Sequence, residues 1–191
     1  MNQQETENLF IEKNALLKGH FKLSSGKHSD TYLQCALVMQ YPDAAEKLCA
    51  SIARSLNDVK IDVVAGPAMG GILPAYEMAR ALGRPNIFSE RDADGNMKIR
   101  RGFCVTPGRK FLVTEDVVTT GGSAKELIDL ITEQGGEVTA VACLVNRSSE
   151  NPFDVPLFSA LNISPPVYAP QDCPLCKQGL EIEKPGSRKD A

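Results

Sequence analysis

Twice in this chain a short β-branched run ends in a glycine-rich turn and passes directly into an amphipathic helix. The first unit is Ile61 to Ala65 (IDVVA), then Gly66-Pro67-Ala68-Met69-Gly70-Gly71, then a helical pattern over Ile72 to Leu82. The second is Phe111 to Thr114, with Val117 and Val118 carrying on after two acids. It continues through Thr119-Thr120-Gly121-Gly122-Ser123 into a helix over Ser123 to Glu133, which keeps Ala124, Leu127, Ile128 and Ile131 on one face. Short apolar runs of this kind suit strands buried on both faces, and such strands are joined by helical crossovers. The order therefore predicts an α/β fold: a mostly parallel sheet flanked by helices. Ligands of such sheets sit at the carboxyl ends of the strands. Three loops fall there: 66–71, 119–123, and the turn around Asn146-Arg147-Ser148.

The remaining elements follow from pattern. Thr6 to Leu17 reads as a helix and Pro42 to Leu56 as another, opened by proline. His20 to Leu37 reads as two short extended pieces around Ser24-Ser25-Gly26. Asn86 to Glu90 and Val138 to Val145 read as strands, with Gly135-Gly136 stopping the helix before the latter. Asp92 to Asn96 (DADGN) is a hairpin signal, and Met97 to Phe103 alternates behind it. From Asn162 onward the tail is rich in proline, charge and loop residues.

The chain's 191 residues, 42% of them hydrophobic, suit one domain, 1–191, with residues 1–40 and about 150–191 forming a small hood and tail. A net charge of −3 argues against a sequence-independent nucleic-acid binder. The polar, acidic start and the lack of a long apolar run argue against a signal peptide or membrane span, so a cytoplasmic protein with reduced thiols is expected. Four of the six cysteines, Cys35, Cys49, Cys104 and Cys143, sit in apolar or mixed segments and read as small buried hydrophobes. Cys173-Pro-Leu-Cys176 is half of a zinc site or a redox pair. With no second CxxC or histidine pair near it in the chain, a metal-free turn is the favoured reading; intersubunit zinc or an adventitious disulfide are the alternatives.

The 119–123 loop has the makings of an anion site. Glycine lets a ligand approach the backbone, the following helix offers free N–H groups, and Thr119, Thr120 and Ser123 add hydroxyls. A phosphate monoester fits, as does a plain strand-to-helix turn with a serine cap. Glu115 and Asp116, at the point where the strand is expected to leave the sheet, can accept hydrogen bonds from hydroxyls or hold the waters of a hard cation. A phosphate beside a vicinal diol describes ribose 5-phosphate. Neither GxxxxGK[ST] nor GxGxxG occurs.

The stretch VTEDVVTTGGS resembles the phosphoribosyl-pyrophosphate (PRPP) signature of the type I phosphoribosyltransferases. Three further segments resemble the orotate phosphoribosyltransferase family: HFKLSSGKHSDTYLQ (20–34), GPAMGGI (66–72) and VNRS (145–148). The tail CPLCKQGLEIEKPGSR looks like an ending found in one branch of it. The resemblance implies the type I phosphoribosyltransferase fold and transfer of the phosphoribosyl group from PRPP to orotate in pyrimidine synthesis. It implies Mg²⁺ held mainly by PRPP oxygens and water, without dedicated protein ligands. It places the 5-phosphate in 119–123 and the ribose hydroxyls on Glu115 and Asp116, so that the PRPP site comprises Glu115, Asp116, Val117, Val118, Thr119, Thr120, Gly121, Gly122, Ser123 and Arg91. Orotate would meet Arg147, Thr119 and Lys27, with His28 beside Lys27 in the substrate segment. Glu115, Asp116, Lys98 and Arg100 would be catalytic, and the 91–101 loop would reach into the neighbouring site of a homodimer. Many of these enzymes carry a lysine where this chain has Gly70, and another where it has Ser24. A purine-type phosphoribosyltransferase or a PRPP-sensing regulator is the alternative on the same scaffold.

Overall fold

A computed structural model describes residues 1–23 and 25–185; Ser24 lies outside the described residues. Six strands form the main sheet. In chain order they are β3 (Val63–Pro67), β4 (Asn86–Arg91), β5 (Met97–Ile99), β6 (Lys110–Val118), β7 (Glu137–Asn146) and β8 (Leu157–Asn162). Their spatial order is β5-β4-β3-β6-β7-β8, parallel throughout except for β5, which pairs antiparallel with β4 across the 92–96 turn. The chain moves outward from β3 to β4 in one direction and from β6 to β7 in the other. The topological switch point lies between β3 and β6, and both glycine-rich loops leave the sheet there.

Alternate residues of each strand feed two cores. Val64, Leu112, Ala142 and Leu144 face α1 (Gln3–Glu12), α2 (Cys35–Met39), α3 (Pro42–Ser55) and α4 (Ile72–Leu82). Ala65, Val113, Val141 and Cys143 face α5 (Gly122–Glu133), through Ala124, Leu127 and Ile131. Burying side chains as large as Leu127 and Ile131 stabilises each contact by about 1.5–3 kcal/mol before entropy is counted. The fold class read from the strand–loop–helix repeat is the one observed.

The first helix is shorter than its apolar pattern predicts. Asn2 and Glu5 form a capping box that starts α1. Asn14 then takes a positive φ of 53°, which ends the helical path, and Leu16 and Leu17 open a strand instead. That strand, β1 (Leu16–Lys22), pairs with β2 (His28–Leu33), and β2 pairs with β9 (Val167–Tyr168) to make a separate antiparallel sheet. The tail also carries more structure than its composition suggests. After β9 come a short 3₁₀ turn, α6 (Pro174–Lys177), and Glu183, which bridges to Phe21 of β1.

Candidate active site

β6 sets the geometry. Its ladder with β3 ends at Ala65↔Val113, whereas its ladder with β7 runs on through Glu115↔Cys143 to Val118↔Asn146. The acids therefore do not lie where the strand leaves the sheet. They sit on paired strand backbone, past the end of one neighbour and still held by the other. Val117 and Val118 pack toward the two cores, so what they present to a ligand is backbone. Glu115 Oε1 accepts from the Asp116 amide at 3.0 Å, and Asp116 Oδ1 accepts from the Val117 amide at 2.8 Å. Burial first, and then the neighbouring Asp116 charge, push the Glu115 carboxyl well above the ordinary carboxylate range. Below the pair lie two neutral thiols. Cys35 donates to the Asp116 carbonyl at 3.8 Å, and burial pushes the Cys143 thiol up to about 12.

Beyond Val118 the loop forms a cavity of about 200 Å³, lined by Glu115 and residues 117–124. Gly121 makes the turn with φ 75°, and a Cβ there would lie 2.8 Å from the Phe153 ring. Gly121 is also the N-cap of α5, so the serine-cap reading fails: no side chain caps this helix, and Ser123 is already inside its first turn. Uncapped first-turn N–H groups, exposed Thr119, Thr120 and Ser123, and the helix dipole make the cavity anion-seeking.

The 66–72 loop comes in from β3. Its Ala68–Met69 peptide is cis, and a Cβ built on Gly70 would stand 2.7 Å from the Asp116 carboxylate. Only a hydrogen fits between this backbone and that acid while the acid keeps its position. The departure noted at Gly70 thus has a steric reason within this chain.

Arg147 follows β7, and its amide donates to the Val118 carbonyl at 2.8 Å. That bond pins the start of the 119–123 loop to the start of the Arg147 turn. The Arg147 side chain is half-buried, its Nε has no partner among the described residues, and burial lowers its pKa. A partly desolvated guanidinium without a counter-ion is an incomplete arrangement that a planar carboxylate can complete.

The 92–96 turn is the hairpin that DADGN predicts, with Met97 and Ile99 turned to the core and Lys98 and Arg100 outward. Its basic residues divide into two groups. Arg91 pairs with Glu126 of α5 at 2.8 Å, and Arg101 grips Glu90 through two bonds of 2.6 and 2.7 Å. Lys98 and Arg100 are exposed and form no ion pair among the described residues. Lys27 stands exposed on the β1–β2 turn. His28, next to it, is by contrast 6% exposed and faces Cys176.

The comparisons agree with this architecture. The phosphoribosyl transferase domain matches residues 38–163. The orotate phosphoribosyltransferase of Carboxydothermus hydrogenoformans is 54% identical over 184 residues, covering 95% of this chain and 96% of that one. Among solved structures, the orotate phosphoribosyltransferase of Aeropyrum pernix superposes with a TM-score of 0.68 at 24% identity, over 82% of this chain and 92% of that chain. An adenine phosphoribosyltransferase from Rhodothermus marinus reaches 0.66 at 20% identity, over 85% of this chain and all of that chain. So the fold alone does not separate one base from another. The chain belongs to the phosphoribosyltransferase family. Its near full-length identity to the Carboxydothermus protein places it, within that family, among the orotate phosphoribosyltransferases.

Proposed function

We propose that the chain transfers the 5-phosphoribosyl group from PRPP to orotate, giving orotidine 5-monophosphate and pyrophosphate. What carries the reading is a convergence at the switch point. An acid pair leads into an uncapped helix N-terminus, and the Arg147–Val118 backbone bond ties that loop to a turn bearing an arginine whose Nε has no partner among the described residues. The 119–123 loop takes the 5-phosphate. Glu115 and Asp116 accept from the ribose hydroxyls and favour the positive charge that grows on the ring as the C1–O bond loosens. Arg147, with Thr119, orients orotate by its carboxylate; the Lys27 assignment rests on the resemblance of segment 20–34. Lys98 and Arg100, the unengaged cations of the hairpin, meet the departing pyrophosphate. Arg91 joins them only by leaving Glu126.

Mg²⁺ suits this donor set. Two adjacent carboxylates, one of them driven toward its protonated form, favour a hard cation nearby. Bound chiefly through PRPP oxygens and water, it would supply charge neutralisation to the pyrophosphate. The proposed assembly is a homodimer in which the 91–101 hairpin serves the partner's site. Its support is the exposed apolar stripe of Met69, Leu73 and Tyr76 beside the active site. No helix among the described residues is long and apolar enough to cross a membrane. A cytoplasmic setting, without nucleic acid as partner, is proposed with the metabolic role.

The deciding assay is PRPP- and Mg²⁺-dependent loss of orotate absorbance, with adenine, hypoxanthine and guanine as competing acceptors. Turnover with orotate alone is expected. Turnover with a purine, or none from folded protein, overturns the proposal.

A further inference from the structure

The CxxC pair has histidine partners after all; they come from the other end of the chain. His20 on β1 and His28 on β2 meet Cys173, at the start of α6, and Cys176 within it. One ligand atom from each of the four lies within 4.8 Å of all the others. The individual separations are tighter. His20 Nε2 is 3.1 Å from His28 Nδ1 and 3.6 Å from each cysteine sulfur, and Cys176 Sγ is 3.3 Å from His28 Nδ1. A tetrahedron with Zn–N of about 2.05 Å and Zn–S of about 2.3 Å has N–N edges of about 3.3 Å and N–S edges of about 3.6 Å. These four edges match it within a few tenths of an ångström, and the other two lie within 4.8 Å.

The protonation pattern agrees. His20 Nδ1 lies 2.9 Å from the Leu180 carbonyl. A carbonyl only accepts, so Nδ1 carries the proton and Nε2 offers its lone pair to the cluster. This is the outer-shell hydrogen bond that orients metal-binding histidines. Both cysteines are free thiols, and Cys173, His20 and His28 are buried.

We propose that this cluster is a structural zinc site, Cys₂His₂, formed within one chain. An S₂N₂ tetrahedron of these dimensions selects a single zinc ion. Four protein ligands close the coordination sphere, so the ion does no chemistry on the substrate. Its work is mechanical. The ligand pairs lie on either side of the family's matched region, 38–163. The ion clasps the tail to the hood, where Glu183 already lies along β1 through its bonds with His20 and Lys22.

The test uses the full chain, purified reduced from zinc-supplemented growth. Elemental analysis should find one zinc per chain. After chelation, Co²⁺ should titrate to one equivalent, giving the visible bands of a tetrahedral ion with a thiolate charge-transfer band, and Zn²⁺ should displace it. Cys176→Ser and His28→Ala should lose the stoichiometric metal, while Cys104→Ser, at a cysteine that is exposed rather than buried as its segment suggested, should keep it. Chelated protein should be cleaved within its C-terminal tail about tenfold faster by a dilute protease. Should the variants misfold, the wild-type cobalt spectrum decides alone. Substoichiometric zinc in folded, reduced protein, a cobalt spectrum without thiolate charge transfer, or a Cys173–Cys176 disulfide in freshly reduced protein would each overturn the proposal.

Discussion

The two polar clusters of this molecule are built in opposite ways. The acid pair and its loop occupy one stretch, 115–123, at the mouth of the sheet. They are poorly satisfied: a carboxyl forced toward protonation precedes a helix without a side-chain cap, and the turn bonded to Val118 carries Arg147, whose Nε has no partner among the described residues. The Cys/His cluster gathers residues from both ends of the chain, is mostly buried, and directs its nitrogens and sulfurs at one another. On the proposed readings, incomplete satisfaction accompanies the cluster that binds and releases a ligand, and mutual satisfaction the one that clasps the fold. The contrast predicts that changes in the first act mainly on rate or affinity, and changes in the second mainly on stability.

The largest effect should come from Asp116→Asn. Losing the charge beside the developing cation should lower kcat by about 10²–10³ with an unchanged melting temperature; equal activity would refute the assignment. Arg147→Ala should raise the KM for orotate by roughly 10–10², and that for PRPP far less. Equal effects would take Arg147 out of the base site. Gly70→Ala should come next. Its methyl would lie 2.7 Å from the Asp116 carboxylate, so kcat should fall about tenfold while the loop stays folded.

The smallest effect is on stability and runs the other way. Because the Glu115 carboxyl is raised in the folded state, the native chain holds a proton that the unfolded chain releases once pH exceeds the ordinary carboxylate value of about 4.3. Stability therefore falls as pH rises from there toward the folded-state pKa. Glu115→Gln should remove that dependence and raise the melting temperature at neutral pH by about 2–4 °C, at the expense of turnover. Calorimetry in buffers of different ionisation enthalpy should also show proton release when Mg·PRPP binds wild type, and none in the variant.

What the sequence disclosed divides along the same line. The parallel sheet was legible because each strand–loop–helix unit is contiguous and its period changes visibly from two to 3.6. The cavity of the 119–123 loop was legible because its glycines, hydroxyls and acids are consecutive. Leu16 and Leu17 were misread because apolar spacing continues smoothly past Asn14, whose left-handed turn leaves no mark on hydrophobicity. α2, at five residues, and the half-polar edge strand β8 are too short to show a period. The histidine partners of Cys173 and Cys176 were out of reach, since only the β1–β2–β9 sheet and the returning tail carry them together.

The two bonds from the Asp116 and Val117 amides to the carboxylates before them have a consequence for selectivity. Each bond takes one oxygen of its carboxylate and leaves the second oxygen free to accept. Breaking either bond would cost about 1 kcal/mol net, so the plane of each acid is set before a ligand arrives. On the proposed reading, each acid can take one hydroxyl of a vicinal diol without giving up its amide. A diol then gains two bonds against acids already oriented, whereas a lone hydroxyl gains one.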